Sequence, residues 1–463
     1  MKIEPIRTPG LGDSTYLLTH AGQGVVIDPQ RDIARFLDRL EEEADVAVRW
    51  VLETHLHNDY VSGARELARV TGAELVLPAA AAAAYSHVPA FHMEEFGDEG
   101  LVVRPIHTPG HTPEHTSYLV LIDGEPTALF SGGSLLVGSA GRPDLLGMER
   151  ADSLARLQYR SVRRLAELDD EVGLYPTHGE GSFCTASGAA THTSTIAAER
   201  ASNPVLVYSD EDSFVAGQLE GLQPYPTYYA RMGPTNLNGP TPLPSEPVPV
   251  IDADRLVELG NAVTIVDARE KGRFAAGHIP GSLGVELRDD FGTWVGWLAD
   301  YDTPMVVILD TNQDSEEALV QLYRIGLDRV AGIKLGLEDW DTVTQPLAGF
   351  GTTRLDEFVE AAANGAQILD VRSPGEWEES HIEGSIHCYV PELAASTPDL
   401  DPDRPVWIGC GSGYRAAIAA GYLTDAGFEP VVLLDTGIPD AYQRLEAAGA
   451  GTGVDQRSLA AVR

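Results

Sequence analysis

The chain has 463 residues, too many for one ordinary core, and its 43% hydrophobic and 22% charged residues are typical of a folded protein. Acidic side chains outnumber basic ones 70 to 32, a formal charge of −38, which argues against nucleic acid or an anionic membrane surface as a partner, since both need basic patches. Three cysteines, Cys184, Cys388 and Cys410, suggest no disulfide framework; Met1–Arg7 lacks an apolar segment, and the apolar run Leu75–Tyr85 is short and broken by Pro78, so a cytoplasmic protein is expected.

In chain order, short β-like runs come first: Tyr16–Thr19, Val25–Asp28, Trp50–Thr54 and Ala128–Phe130, alternating with helical patterns at Ala64–Val70 and Ser153–Leu168. Histidines gather just after several of these strands, where loops on α/β scaffolds carry chemistry. The first cluster is Thr54-His55-Leu-His57-Asn-Asp59-Tyr60, the second His107-Thr-Pro-Gly-His111-Thr-Pro-Glu-His115, the third Pro176-Thr-His178-Gly, shortly before Cys184. His-x-His on extended backbone sends two imidazoles to one side, an arrangement suited to one shared metal ion. Residues 203–248 are rich in Pro, Gly, Tyr and Asn and are read as a connector without a core of its own.

From residue 249 the chain repeats itself. Asp267-Ala-Arg269 with Gly277-His278-Ile-Pro-Gly281-Ser282 is echoed by Asp370-Val-Arg372 with Ser380-His381-Ile-Glu-Gly384-Ser385, and Pro304 and Gly326 match Pro405 and Gly427 after a two-residue slip. A repeat of this length is a duplicated domain, and the order strand, helix, strand, helix predicts small α/β modules at 249–348 and 349–463 after an N-terminal domain at 1–202.

In the second copy the strand Pro405–Gly409 runs into Cys410-Gly411-Ser412-Gly413-Tyr414-Arg415 and then an alanine-rich helix. The loop amides, the helix N-terminus and Arg415 all favour thiolate over thiol at Cys410, and the glycines permit the tight turn. The first copy places Leu309 opposite Cys410 and Asp314 opposite Arg415, so it has neither the nucleophile nor the anchoring charge. Cys388, in an apparently packed segment, is expected to be passive.

The Asp-x-Arg and His-Ile-x-Gly-Ser landmarks with the Cys410 loop resemble the rhodanese family of sulfurtransferases, whose cysteine carries sulfane sulfur as a persulfide. That resemblance implies catalysis by Cys410 with Arg415, and substrate binding by Gly411, Ser412, Gly413 and Tyr414. A tyrosine-phosphatase loop has five residues between Cys and Arg; only four separate Cys410 from Arg415. The histidine clusters, with Val26-Ile-Asp28-Pro29, Phe130-Ser-Gly-Gly133 and Gly141-Arg142-Pro-Asp144, resemble the metallo-β-lactamase fold, an αββα sandwich, and its persulfide dioxygenase branch fused to one inactive and one active rhodanese module. The resemblance implies iron(II) and O2 acting on a low-molecular-weight thiol persulfide to give sulfite, thiosulfate formation or use at Cys410, and Arg142 meeting a substrate carboxylate or phosphate. A homo-oligomer is left open.

Two departures bear on the metal. Tyr60 stands where two-metal relatives have histidine, and Phe130-Ser131-Gly132-Gly133 replaces Phe-Thr-Gly-Asp, so the metal-binding carboxylate is missing. The expected ligands are then His55, His57 and His111, or Asp59 in place of the lost carboxylate. Asp59, His115 and His178 are otherwise expected to stand behind the ligands and orient them. Zinc(II) bound by three histidines, with hydrolysis of thioesters as in glyoxalase II, is the alternative, as is a sulfur carrier with a degenerate metal site.

Overall fold

Alternation sets the layers of the N-terminal half. Along Asp13–His20, Tyr16 and Leu18 face one way and Leu17 the other; along Gln23–Ile27, Val25 and Ile27 oppose Val26. In the computed structural model, which describes residues 1–43, 46–98, 100–185, 192–393, 395–449 and 452–453, this pattern produces two six-stranded sheets. The first runs Lys2–Thr8, Asp13–His20, Gln23–Ile27, Ala47–Leu52, Glu74–Pro78, Val88–Ala90. The second runs Ser194–Thr195, Gly173–Pro176, Glu125–Gly132, Thr116–Ile122, Leu101–His107, Phe96–Asp98.

Tyr16, Leu18, Val25, Ile27, Trp50 and Leu52 of the first sheet meet Val103, Tyr118, Val120 and Phe130 of the second in one buried cluster. Helices cover the outer faces. Ala34–Glu42 and Ala64–Thr71 bury Phe36 and Leu67 with Val26 and Val51, while Met148–Leu165 buries Ala155, Val162 and Leu165 with Leu119, Leu121 and Leu129. Because both faces are covered, strands such as Val25–Ile27 read as unbroken apolar runs. The αββα sandwich is the one expected.

Contacts divide the chain into two units, Met1–Ser245 with Val320–Asp328, and Glu246–Leu319 with Arg329–Arg463. The stretch expected to be a core-free connector instead carries the helices Pro204–Val207, Glu211–Glu220 and Tyr229–Asn238. Its prolines and polar residues act as punctuation: Pro204 opens one helix, and the Asp210 carboxylate caps the next through the Ser213 amide. Phe214 and Val215 join the cluster beneath Met148–Leu165, and Tyr229, Met232 and Asn236 are buried.

In the second unit the first copy forms a parallel sheet, Leu283–Gly284, Thr264–Asp267, Met305–Leu309, Val330–Leu335. The second copy forms Gly351–Thr353, Pro430–Leu433, Val406–Gly409, Gln367–Asp370, Ile386–His387, again parallel. The repeated motifs have one structural meaning. Arg269 forks onto Asp267 and reaches the Gly277 carbonyl; Arg372 forks onto Asp370 and reaches the Ser380 carbonyl. His278 stacks 4.0 Å from Phe274, and His381 4.0 Å from Trp377, each also bonding the carbonyl of the residue it covers. Each copy thus ties the end of its first strand to the turn that follows the next helix. Among the described residues, no helix is long and apolar enough to cross a membrane.

Candidate functional site

The histidine loops converge where strands of both sheets end, and Asp28 organises them. Its backbone is left-handed, at φ 55°. Its carboxylate accepts the Thr54 amide and the Thr54 hydroxyl, both at 2.7 Å, and the Thr177 hydroxyl. With its proton committed to Asp28, Thr54 Oγ1 can only accept from His55 Nδ1, 2.9 Å away. His55 therefore carries its proton on Nδ1 and presents a bare Nε2.

The same logic fixes one more ring. His111 Nδ1 lies 2.9 Å from the Arg142 carbonyl, which can only accept, so Nε2 is unprotonated, and it is buried without a hydrogen-bond partner. His178 Nδ1 lies 2.8 Å from Asp13 Oδ1, a carboxyl that burial pushes well up, and its Nε2 faces His55 Nε2 at 3.3 Å. Such a pair is held by a shared proton or by a cation, and about 3.3–3.4 Å is what two nitrogens at ~2.0–2.1 Å from one tetrahedral ion subtend. Burial and the neighbouring imidazoles hold His55 well below the ordinary histidine range; burial and His178 do so for His111, and burial lowers His178. Neutral rings with converging lone pairs fit a metal ion.

The other expected residues are placed differently. His57 Nε2 lies 3.3 Å from Asp28 and 3.6 Å from Glu53, and its Nδ1 3.8 Å from Asp59, while the ring stacks 4.3 Å from Tyr60. It remains within 4.8 Å of the His55 and His178 ligand atoms; carboxylates face both its nitrogens, yet neither has a hydrogen-bond partner among the described residues. Tyr60 turns its hydroxyl to the Asp28 carbonyl at 3.2 Å, away from any second ion. Asp59 stands against His178 Nδ1 at 3.4 Å and beside Asp13; burial and Asp13 push it up to about 7. His115 accepts the Gly133 amide on Nε2 at 2.9 Å and meets Thr108 Oγ1 on Nδ1 at 2.9 Å, so both nitrogens are used.

Arg142, expected to meet substrate, is committed elsewhere. It is buried, forks onto Asp144 at 2.7 and 2.8 Å, donates to the Phe183 and Gln223 carbonyls, and lies over Tyr225. Four of its five N–H donors are taken by these groups. Its backbone does position the site, through the carbonyl bound by His111 and the amide bound to the Cys184 carbonyl.

Gly133 is occupied space rather than a vacancy. A Cβ there would fall 2.3 Å from His111 Cδ2, and one on Gly141 would fall 2.7 Å from His111 Nδ1. The His111 ring fills the room where a longer side chain would stand. Beside the cluster lies a pocket of about 540 Å³, lined by Leu56, Leu145, Leu146, Tyr225 and Pro234, with Thr112 and Glu114 as polar lining. Thr112 Oγ1 is buried and unpartnered.

The sulfur loop is equally specific. Register pairs Asp370 with Gly409 and Asp267 with Ile308, so Leu309 takes the place of Cys410 in the first copy. There Gln313 seals the loop, bonding the Asp310 amide and the Ala268 carbonyl. In the second copy Gly413 has φ 80° and a Cβ on it would strike the Leu434 carbonyl at 1.9 Å. Helix Tyr414–Asp425 begins at once, and Cys410 is buried at its mouth. Arg415 forks onto Glu376 at 2.5 and 2.8 Å; burial works to raise Glu376, but Arg415 and Ser373 hold it down to about 2. Gly411 and Ser412 are exposed, whereas the Tyr414 side chain is buried and bonds the Glu286 carbonyl, so it does not line the loop mouth. Cys388 is buried, with burial pushing its thiol up to about 11.

Sequence reasoning missed Asp13, and with it the inward placement of His178. Its only trace is a lone Asp in Leu11-Gly-Asp13, distant from every histidine cluster.

Comparison with known proteins agrees with this fold. The metallo-beta-lactamase superfamily matches residues 8–178, and the rhodanese-like domain matches 251–342 and 355–443. A hydroxyacylglutathione hydrolase of Acidiphilium cryptum is 31% identical over 234 residues, 45% of this chain and 91% of that protein. An atrochrysone carboxyl ACP thioesterase of Passalora fulva is 29% identical over 178 residues, 36% of this chain, which spans about half (48%) of that protein. The crystal structure of a metallo-beta-lactamase from Staphylococcus aureus superposes with a TM-score of 0.64 at 26% identity, over 72% of this chain and 99% of that one. The chain belongs to the metallo-beta-lactamase superfamily and carries two rhodanese-like domains after its metallo-beta-lactamase fold.

Proposed function

We propose that this protein is a persulfide dioxygenase and sulfurtransferase, oxidising the outer sulfur of a low-molecular-weight thiol persulfide and handling sulfane sulfur at Cys410. The observation that carries the reading is one chain holding both a one-ion cradle of neutral histidines and a cysteine loop of sulfur-transfer type. Tyr60, bonded to Asp28, offers no imidazole for the second ion of a binuclear hydrolase. His55, His111 and His178 would hold iron(II), with open positions of the kind non-haem oxygenases use, and the ion would supply the means of reducing O2.

The overall conversion balances as R–S–SH + O2 + H2O → R–SH + SO3²⁻ + 2 H⁺, the outer sulfur giving four electrons to O2. The pocket beside Leu56, Leu145 and Leu146 would seat the carrier thiol, with Thr112 Oγ1 free to bond the persulfide. At the second centre, a Cys410 persulfide and sulfite give the Cys410 thiolate and thiosulfate; the S–S bond breaks and a new S–S bond forms to sulfite. Loop amides and the helix N-terminus stabilise the departing thiolate. We assign the protein to the cytoplasm, with persulfide, sulfite and thiosulfate as its small-molecule partners.

The test is O2 uptake and sulfite formation by the iron-loaded chain with glutathione, coenzyme A and other thiol persulfides. No O2 consumption with any of them rejects the reading. The relatives named as a hydroxyacylglutathione hydrolase and a thioesterase favour a second reading, hydrolysis of a thioester at a three-histidine zinc site. Acyl-thiol cleavage by zinc-loaded protein, without persulfide oxidation by the iron form, would establish it.

A further inference from the structure

Gly133 offers no side chain to an ion, and the structure holds a soft donor close by. Cys184 is 1% exposed, and its sulfur lies within 4.8 Å of the ligand atoms of both His111 and His178. Its only described side-chain partner is the Tyr229 hydroxyl, a long 3.9 Å away. Independently, His111 Nε2 is buried and has no hydrogen-bond partner, and it lies with Cys184 Sγ within 4.8 Å of the His178 ligand atom. The segment is braced for this. The Arg142 amide bonds the Cys184 carbonyl at 3.0 Å while the Arg142 carbonyl accepts from His111 at 2.9 Å, so the backbone of one residue braces both. Arg142 Nη1 also holds the Phe183 carbonyl, and the Ser182 hydroxyl accepts the Cys184 amide.

Resting on the metal-centre reading above, we propose that Cys184 is a ligand, binding the ion as thiolate together with His111 and His178. A thiolate gives a divalent ion the same charge compensation as a carboxylate ligand would. The thiolate therefore replaces what Gly133 cannot supply. Binding releases the thiol proton to solvent and forms one metal–sulfur bond; no oxidation state changes. A soft donor shifts the site's preference toward zinc, cobalt and iron over magnesium or manganese.

The experiment uses the full chain with Cys388→Ser and Cys410→Ser, so that Cys184 is the sole thiol. Loaded with cobalt(II), it should show a thiolate-to-cobalt charge-transfer band, and loaded with zinc, X-ray absorption should show one sulfur at about 2.3 Å. Adding Cys184→Ser should abolish both, lower metal affinity at least about tenfold, and release about one proton fewer per metal bound. Metal bound at one equivalent without the band or the sulfur overturns the Cys184 assignment and leaves the three-histidine centre standing. No stoichiometric metal at all rejects the centre itself and the assignment with it. Should the Cys184→Ser protein fail to fold, the double variant alone decides, since its band and its sulfur are either present or absent.

Discussion

Gly133→Ala isolates the geometry of the metal cradle. The added Cβ would sit 2.3 Å from His111 Cδ2 and 2.8 Å from both Cγ and Nε2, whereas ordinary carbon contacts begin near 3.5 Å. The ring would have to shift by about 1 Å to restore such a contact. It has little freedom to do so, because Nδ1 is bonded to the Arg142 carbonyl and Gly141 lies close against the same edge. Overpacking of this kind costs about 1–3 kcal/mol of fold stability, and moving one ligand of a metal site should cost ~10–100-fold in affinity. Competition titration with zinc and cobalt measures the second quantity, and urea unfolding of the metal-free protein the first. Gly100→Ala is the control, since a Cβ there meets nothing closer than 3.9 Å. Gly133→Asp, which sequence comparison alone recommends as a repair, should be worse than alanine for the same reason. If Gly133→Ala binds metal within twofold of the parent, or Gly133→Asp binds it more tightly, then His111 does not fill that space and the cradle is drawn wrongly.

Cys410→Ser should abolish thiosulfate formation or use while zinc affinity stays within twofold, read by sulfurtransferase assay and titration. Thr54→Val removes the acceptor that fixes the His55 tautomer and should weaken metal binding by ~10–100-fold with the fold retained, checked by titration and far-ultraviolet circular dichroism. Glu376 has its folded pKa held near 2 against an ordinary 4.5, chiefly by Arg415 working against burial. The unfolded chain therefore binds the proton first, so this pair's contribution is fully present above about 4.5 and is lost as pH falls toward 2. Glu376→Gln should flatten that part of the acid-unfolding curve; an unchanged slope would refute the pairing. Asp370→Asn leaves Arg372 buried with one charge partner gone, and should destabilise the second unit by about 3–5 kcal/mol in chemical denaturation.

Much of this protein could be read from local order. Strand alternation, the duplicated Asp-x-Arg and His-Ile-x-Gly-Ser motifs, the glycine loop at Cys410 and the missing nucleophile at Leu309 are all short-range patterns, and each has a local physical cause: side-chain period, buried ion pair, or a left-handed turn. The helices at 204–238 were hidden because proline and glycine density signals turns without revealing that Phe214 and Tyr229 have a core to enter.

The identity of the inward-facing nitrogens was a tertiary matter. His55 and His57 are equivalent in sequence, yet Thr54 holds the Nδ1 of one while Asp28, Glu53 and Asp59 only stand near the nitrogens of the other. His178 comes in because Asp13, 165 residues away, holds its outer nitrogen. A histidine's usable lone pair depends on which partner holds its other nitrogen, and that partner can lie anywhere in the chain. Sequence alone determined that there would be a histidine cluster and a sulfur loop; only the folded hydrogen-bond network decided which partner holds each ring, and why Gly133 has room for nothing larger.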